Sequence, residues 1–189
     1  MKKVYIIHGW GGSPENSFFP WLKEELDKKG FEVNILAMPN TDFPNIDEWV
    51  SYLANEVKIY NENTIFVGHS IGCQTIMRYF EYQTTRAGGA VFVAPWFNLP
   101  FLATEEEKII AKPWLETSIN FEKVKQNLPK ITAIFSDNDP DVDLSDKELF
   151  EKNLNAKTII EHDKGHFSND AGVTELPSAL NSILEISNG

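Results

Sequence analysis

Gly68-His69-Ser70-Ile71-Gly72 is the stretch of this sequence with the clearest chemical content. A serine flanked by glycines fits a tight turn that lifts its hydroxyl clear of a sheet, with room for the backbone to approach closely. The apolar run Thr64–Val67 precedes the turn, and Ile76, Met77, Tyr79 and Phe80 follow at helical spacing. That strand–turn–helix setting is the one such a serine needs. The chemistry implied is attack of an activated hydroxyl on an acyl carbonyl. The competing explanation is a glycine-rich turn with no reactive role.

A serine hydroxyl is a weak nucleophile until a base accepts its proton. The chain has four histidines, His8, His69, His162 and His166. A serine on this kind of turn is followed in chain order by the acid and then the histidine. Only His162 and His166 satisfy that order. His166, in Gly165-His166-Phe167, sits in a loop after the last strand-like segment and is the base candidate. His162, at the end of that segment, is the competitor and reads equally as a surface residue.

The acid should lie after the fifth strand, where the chain reads Ser136-Asp137-Asn138-Asp139-Pro140-Asp141-Val142. Asp139 is the first choice, Asp137 the competitor and Asp141 the third. Any of them also fits an Asx turn beside proline. The acid would hold the histidine tautomer and stabilise the imidazolium. An oxyanion needs backbone N–H donors. One should come from Ile71, the residue after the serine, and the other from Trp10 in the loop His8-Gly9-Trp10-Gly11-Gly12. His8 is expected to brace that loop. Cys73 is expected to be a small buried residue rather than a nucleophile.

These groups need a frame, and the hydrophobic pattern describes one. Val4–Ile7, Phe31–Met38, Thr64–Val67, Gly89–Ala94, Ile131–Phe135 and Thr158–Ile160 read as six strands. Helical stripes lie between them: Phe18, Trp21, Leu22 and Leu26, closed by Gly30; Ile46, Trp49, Val50, Leu53 and Val57, with Asn45 as N-cap; then 121–127 and 147–154. A last helix carries Leu180, Ile183 and Leu184, with Pro177 in its first turn. Alternating strands and helices give a parallel sheet covered on both faces. Function then belongs beyond the carboxyl ends of the strands, where strand order reverses. Residues 95–118 are less regular, hold Trp96, Phe97, Phe101 and Trp114, and are a possible small cap.

The 189 residues suit one domain, 1–189, and 42% apolar residues can build its core. A net charge of −11 argues against nucleic acid and anionic membrane partners. The lysines at 2 and 3 precede an apolar run too short for a secretory signal, and no stretch is long enough to span a bilayer. With a single cysteine no internal disulfide can form. A cytoplasmic protein is the expectation, with no metal or organic cofactor needed. The sequence names no protein partner.

The chain resembles the small serine hydrolases grouped with retinoblastoma-binding protein 9 and bacterial YdeN. The resemblance is carried by Val4–Gly12 (VYIIHGWGG), Pro20-Trp21-Leu22, Met38-Pro39-Asn40, Gly68–Gly72, Met77-Arg78-Tyr79, Ser136–Pro140 and Gly165-His166-Phe167. It implies a minimal α/β-hydrolase, three layers deep, with a six-stranded, mostly parallel sheet in the order 2-1-3-4-5-6. By that resemblance Ser70, Asp139 and His166 match the triad positions. The expected activity is hydrolysis of carboxylic esters or thioesters, small ones because the segment 95–118 is too short for a large lid. The aromatic residues Trp10, Trp96, Phe97 and Phe167, and further Phe101 and Trp114, are candidates to line an apolar acyl or aryl pocket. A non-catalytic binding protein on the same scaffold is the alternative, and a flavin-binding flavodoxin-like domain a third possibility.

Overall fold

The computed structural model describes residues 1–188. Six strands form one sheet: β1 (Lys3–Ile7), β2 (Glu32–Leu36), β3 (Thr64–His69), β4 (Gly89–Val93), β5 (Ile131–Ser136) and β6 (Lys157–Glu161). Their spatial order is 2-1-3-4-5-6 and every neighbouring pair is parallel. The four inner strands are mostly apolar because helices cover both their faces, and β3, β4 and β5 are wholly buried. At the sheet edges β2 mixes buried and half-buried positions, and β6 is half-buried or exposed along its length.

Helices α1 (Phe19–Asp27) and α7 (Pro177–Asn188) pack together on one face of the sheet. On the other face lie α2 (Ile46–Glu56), α3 (Ile71–Glu81), α5 (Phe121–Asn127) and α6 (Asp146–Leu154), in contact side by side. α3 is the central helix, buried at every position from Ile71 to Phe80. Asn45 caps α2 by accepting from the Glu48 N–H, as its residue type favours.

Two expectations need correction. The second strand stops at Leu36, short of Met38, because the Met38 N–H turns to donate to His8 Nε2 (3.1 Å) instead of extending the ladder. The segment 95–118 is more ordered than its sequence suggests. It contains a 12-residue helix, α4 (Glu105–Glu116), with Pro113 inside. A capping box starts it: Thr104 accepts from the Glu107 N–H while Glu107 accepts from the Thr104 N–H. That T-x-x-E signal was in the sequence, obscured by the proline and a weak apolar stripe.

Candidate active site

The strand register decides which loops meet. Ile7 at the end of β1 pairs with Gly68 near the end of β3, so the loop 8–12 begins beside Ser70. Ser136 at the end of β5 pairs with Glu161 at the end of β6, which sets the Asp137–Asp141 loop against the loop that carries His166. The first pair of loops lies at the point where the chain leaves β1 for the sheet edge at β2 and returns to β3, the crevice expected to hold ligands.

Ser70 has φ 52° and ψ −122°, in the region that non-glycine residues avoid. Its N–H donates to the Val93 carbonyl (2.9 Å) and its carbonyl accepts from Cys73 N–H (2.9 Å), so both sides of the strained residue are held by hydrogen bonds. The motif glycines exist for the same turn. A β-carbon on Gly68 would lie 2.7 Å from the Cys73 nitrogen, and one on Gly72 would run into the carbonyl oxygens of Ile7 and His8. The turn therefore packs directly on the end of β1.

His166 Nδ1–H donates to both carboxylate oxygens of Asp139 (3.0 and 2.9 Å). The Asp139 side chain is only 2% exposed, and its Oδ1 also accepts from the N–H groups of Asp141 (2.9 Å) and Val142 (3.1 Å). These donors fix the carboxylate's position against the ring. With Nδ1 protonated, Nε2 of the neutral ring is the basic nitrogen. Asp137 instead accepts from His162 Nδ1–H (2.5 Å), a ring that is 81% exposed. That contact holds the Asp137 carboxyl below its usual range and raises His162. Sequence order alone could not separate these two His–Asp pairs; burial does.

The rest of the acid loop positions the histidine loop. Asn138 Oδ1 accepts from Ser136 Oγ–H and from the Gly165 N–H, both at 2.8 Å, and Ser136 Oγ accepts from Lys164 N–H (3.1 Å). His69 adds a tie that no sequence signal revealed. Its Nε2–H donates to the His166 carbonyl (2.8 Å), and its ring lies against those of Phe18, Phe19 and His166. Burial, then the neighbouring His166, push its pKa down to about 3, so it is a neutral strut rather than a base.

His8 braces its loop. Nδ1–H donates to the Gly9 carbonyl (2.8 Å) and Nε2 accepts from Met38, while burial lowers its pKa. Trp10 Nε1–H donates to the Asp42 carbonyl (2.9 Å), and Gly11 N–H to Thr41 (2.8 Å). Ile71 is the first residue of α3, where an N–H has no helical partner. Among the described residues neither its N–H nor that of Trp10 has a protein acceptor. Cys73 is fully buried, and burial pushes its thiol well above the ordinary range, the opposite of an activated nucleophile.

Ser70 and His166 line one cavity of about 580 Å³. No hydrogen bond joins them among the described residues, and such contacts commonly tighten only when substrate binds. Trp10, Ile71, Trp96, Leu99 and Phe101 supply its apolar wall. Phe97 and Phe167, expected in that wall, are not part of it. Phe97 stacks on Phe150 (ring centroids 4.2 Å apart), and Phe167 is fully buried in the core, anchoring the histidine loop. Trp114 is also buried, its Nε1–H donating to the Pro44 carbonyl (3.0 Å). Buried Asp146, unremarkable in sequence, accepts from Phe97 N–H, Asn98 N–H and Asn98 Nδ2–H (2.6, 3.0 and 2.6 Å) and so holds the strip between Trp96 and Leu99.

Asp139, Asp141 and His166 bring ligand atoms within 4.8 Å of one another, close enough to share one cation. Asp139 and Nδ1 of His166 are already committed to each other, so a cation there would break the pair. Among the described residues no helix is long and apolar enough to cross a membrane.

Residues 4–185 match the family model described as serine hydrolase. The chain is 33% identical to the hydrolase YdeN of Bacillus subtilis (strain 168) over 179 residues, 93% of this chain and 91% of that protein. It is 28% identical to the serine hydrolase RBBP9 of Rattus norvegicus over 173 residues, 88% of each. The crystal structure of the B. subtilis ydeN gene product superposes over the full length of both chains with a TM-score of 0.92 and 29% identity.

Proposed function

This chain belongs to the serine hydrolase family, and from that premise we propose that it cleaves small carboxylic esters or thioesters through an acyl-enzyme on Ser70. One observation carries the proposal. A serine on a strained elbow shares a cavity with a histidine whose Nδ1–H is fixed on a buried carboxylate, leaving Nε2 as the base. A binding protein has no need of that polarity.

In the proposed reaction Ser70 Oγ bonds to the acyl carbon as its proton passes to His166 Nε2. The carbonyl π electrons move to oxygen, and the N–H groups of Ile71 and Trp10 hold the oxyanion. When the tetrahedral intermediate collapses, His166 returns the proton to the departing alcohol or thiol oxygen or sulfur. A water then gives a proton to His166 as its oxygen bonds to the acyl carbon. The second tetrahedral intermediate collapses by breaking the acyl–Oγ bond, His166 returning the proton to Ser70 Oγ as the acid leaves. Asp139 keeps the imidazole in register and stabilises the imidazolium formed twice per turnover. Family membership and the resemblance of the anchor motifs support these roles, as does the cavity's apolar wall for the acyl group. The single domain, 1–189, and the cytoplasmic location remain parts of the same proposal, supported by the one sheet and the lone buried cysteine.

Labelling with a fluorophosphonate tests it. Intact mass and peptide mapping should show one adduct on Ser70 that is absent from Ser70→Ala. No adduct anywhere between about pH 6 and 9, a range that spans the ordinary histidine pKa, would overturn the nucleophile assignment and favour a non-catalytic binding role.

A further inference from the structure

The electrostatics of the cavity point to its substrate class, an inference that rests on the Ser70 assignment above. Three acidic residues line the cavity, Glu107, Asp141 and Asp170, and among the described residues no lysine or arginine does. Elsewhere on the surface acids alternate with lysines, as in Lys23–Asp27, Lys28–Glu24 and Lys147–Glu151. Around the cavity that balance fails. Among the described residues the one ion-pair contact of Asp141 is with His166, whose Nδ1 lies 3.8 Å away and is already bound to Asp139. Asp170 has no ion-pair partner among the described residues. Glu107 has its carboxylate on the N–H groups of Ala103 and Thr104 (2.7 and 2.9 Å), which hold it ionised.

The placement of the charges matters as much as their number. Asp141 belongs to the acid loop and Asp170 to the histidine loop, four residues after His166. The atom that leaves must receive its proton from His166, so the leaving group lies on the histidine side. The acyl oxygen lies across the cavity, toward Trp10 and Ile71. Carboxylates on the histidine side therefore act on the alcohol or thiol half of the substrate, while Trp96 and Leu99 offer the remaining wall to an uncharged acyl chain.

We propose that the preferred substrates are esters or thioesters of short apolar acids with cationic, amine-bearing alcohols or thiols, drawn to the cavity by Asp141 and Asp170. Anionic leaving groups are correspondingly disfavoured. Each of these two carboxylates at the partly solvated rim contributes a few-fold, and the two together about tenfold, with the effect fading as salt screens it.

The test is a matched pair of thioesters, butyrylthiocholine and S-(3,3-dimethylbutyl) thiobutyrate, which differ in charge but hardly in shape. Thiol release should give kcat/KM about tenfold higher for the cation at low ionic strength, falling several-fold near 0.5 M salt. The Asp141→Asn/Asp170→Asn variant should bring the ratio to about one. Both substrates use the same histidine, so a change in its basicity cancels in the ratio. A ratio within about twofold of one in the wild type, or one that survives in the double variant, overturns the proposal. If neither thioester turns over, the same ratio is read from the rates at which methylphosphonothioates with the two leaving groups phosphonylate Ser70. Charge-independent rates defeat the charge inference alone. An unreactive Ser70 defeats the hydrolase assignment, and this inference with it.

Discussion

Replacing Asp139 by asparagine isolates what the buried carboxylate does for His166. The aspartate accepts Nδ1–H at 2.9 Å from a position only 2% exposed. When His166 takes the serine proton, a positive ring faces that negative charge. At a charge separation of about 4 Å and an effective dielectric of about 20, the attraction is about 4 kcal/mol, or about 10³ in rate. The amide loses this and can also turn its NH2 toward Nδ1, which favours the tautomer with Nε2 protonated and unable to act as base. The sum is about 10⁴-fold in kcat, the scale seen when the acid of such a triad becomes an amide. Asp137→Asn is the control. It removes the exposed His162 contact and should change kcat/KM by no more than about threefold. The assay is thioester turnover by both variants, with folding checked by circular dichroism and the histidine ring protons followed by NMR. Asp137→Asn should lower the pKa of His162. A folded Asp139→Asn protein that keeps more than about a tenth of wild-type kcat, or an Asp137→Asn protein that is the more damaged, would transfer the role of acid away from Asp139.

Gly72→Ala should lower stability by about 3 kcal/mol in urea unfolding, because the new methyl meets the backbone carbonyls of Ile7 and His8 and β1 must shift; a wild-type midpoint would contradict the close approach. His69 has a folded pKa of about 3 against 6.5 in the unfolded chain, so its contribution is present above pH 6.5 and is lost as pH falls toward 3. The stability gap between wild type and His69→Gln should therefore shrink by about 3 kcal/mol from pH 7 to 4, and a gap that stays constant would mean that His69 is not buried neutral. Asp146→Asn leaves fewer acceptor lone pairs for three N–H donors and should cost about 1.5–3 kcal/mol. It should also raise KM more than it lowers kcat, since the wall from Trp96 to Leu99 loosens; an unchanged KM would separate that wall from substrate binding.

Much of the frame was legible because it depends on local pattern. Apolar runs bounded by turn residues marked all six strands, and a glycine–serine–glycine turn between strand and helix marked Ser70. Resemblance of the anchor motifs supplied the strand order that periodicity could not. The chain's order of serine, acid and histidine reduced four histidines to two and left three aspartates open. What separates them is burial, which depends on contacts between residues far apart in sequence. Asp139 sits under the histidine loop with its charge desolvated, whereas Asp137, two residues away, faces solvent with His162. The same limit explains the misplaced aromatics. Phe97 and Phe167 look like pocket residues by type, yet a ring can pack inward or outward from one loop, and only the neighbours Phe150 and the core decide. His69 and Asp146 left no trace because their hydrogen bonds join loops nearly fifty or more residues apart. Sequence determined which groups could react. Tertiary packing decided which of them are desolvated, oriented and gathered at one cavity, because dielectric and hydrogen-bond geometry are properties of the assembled fold.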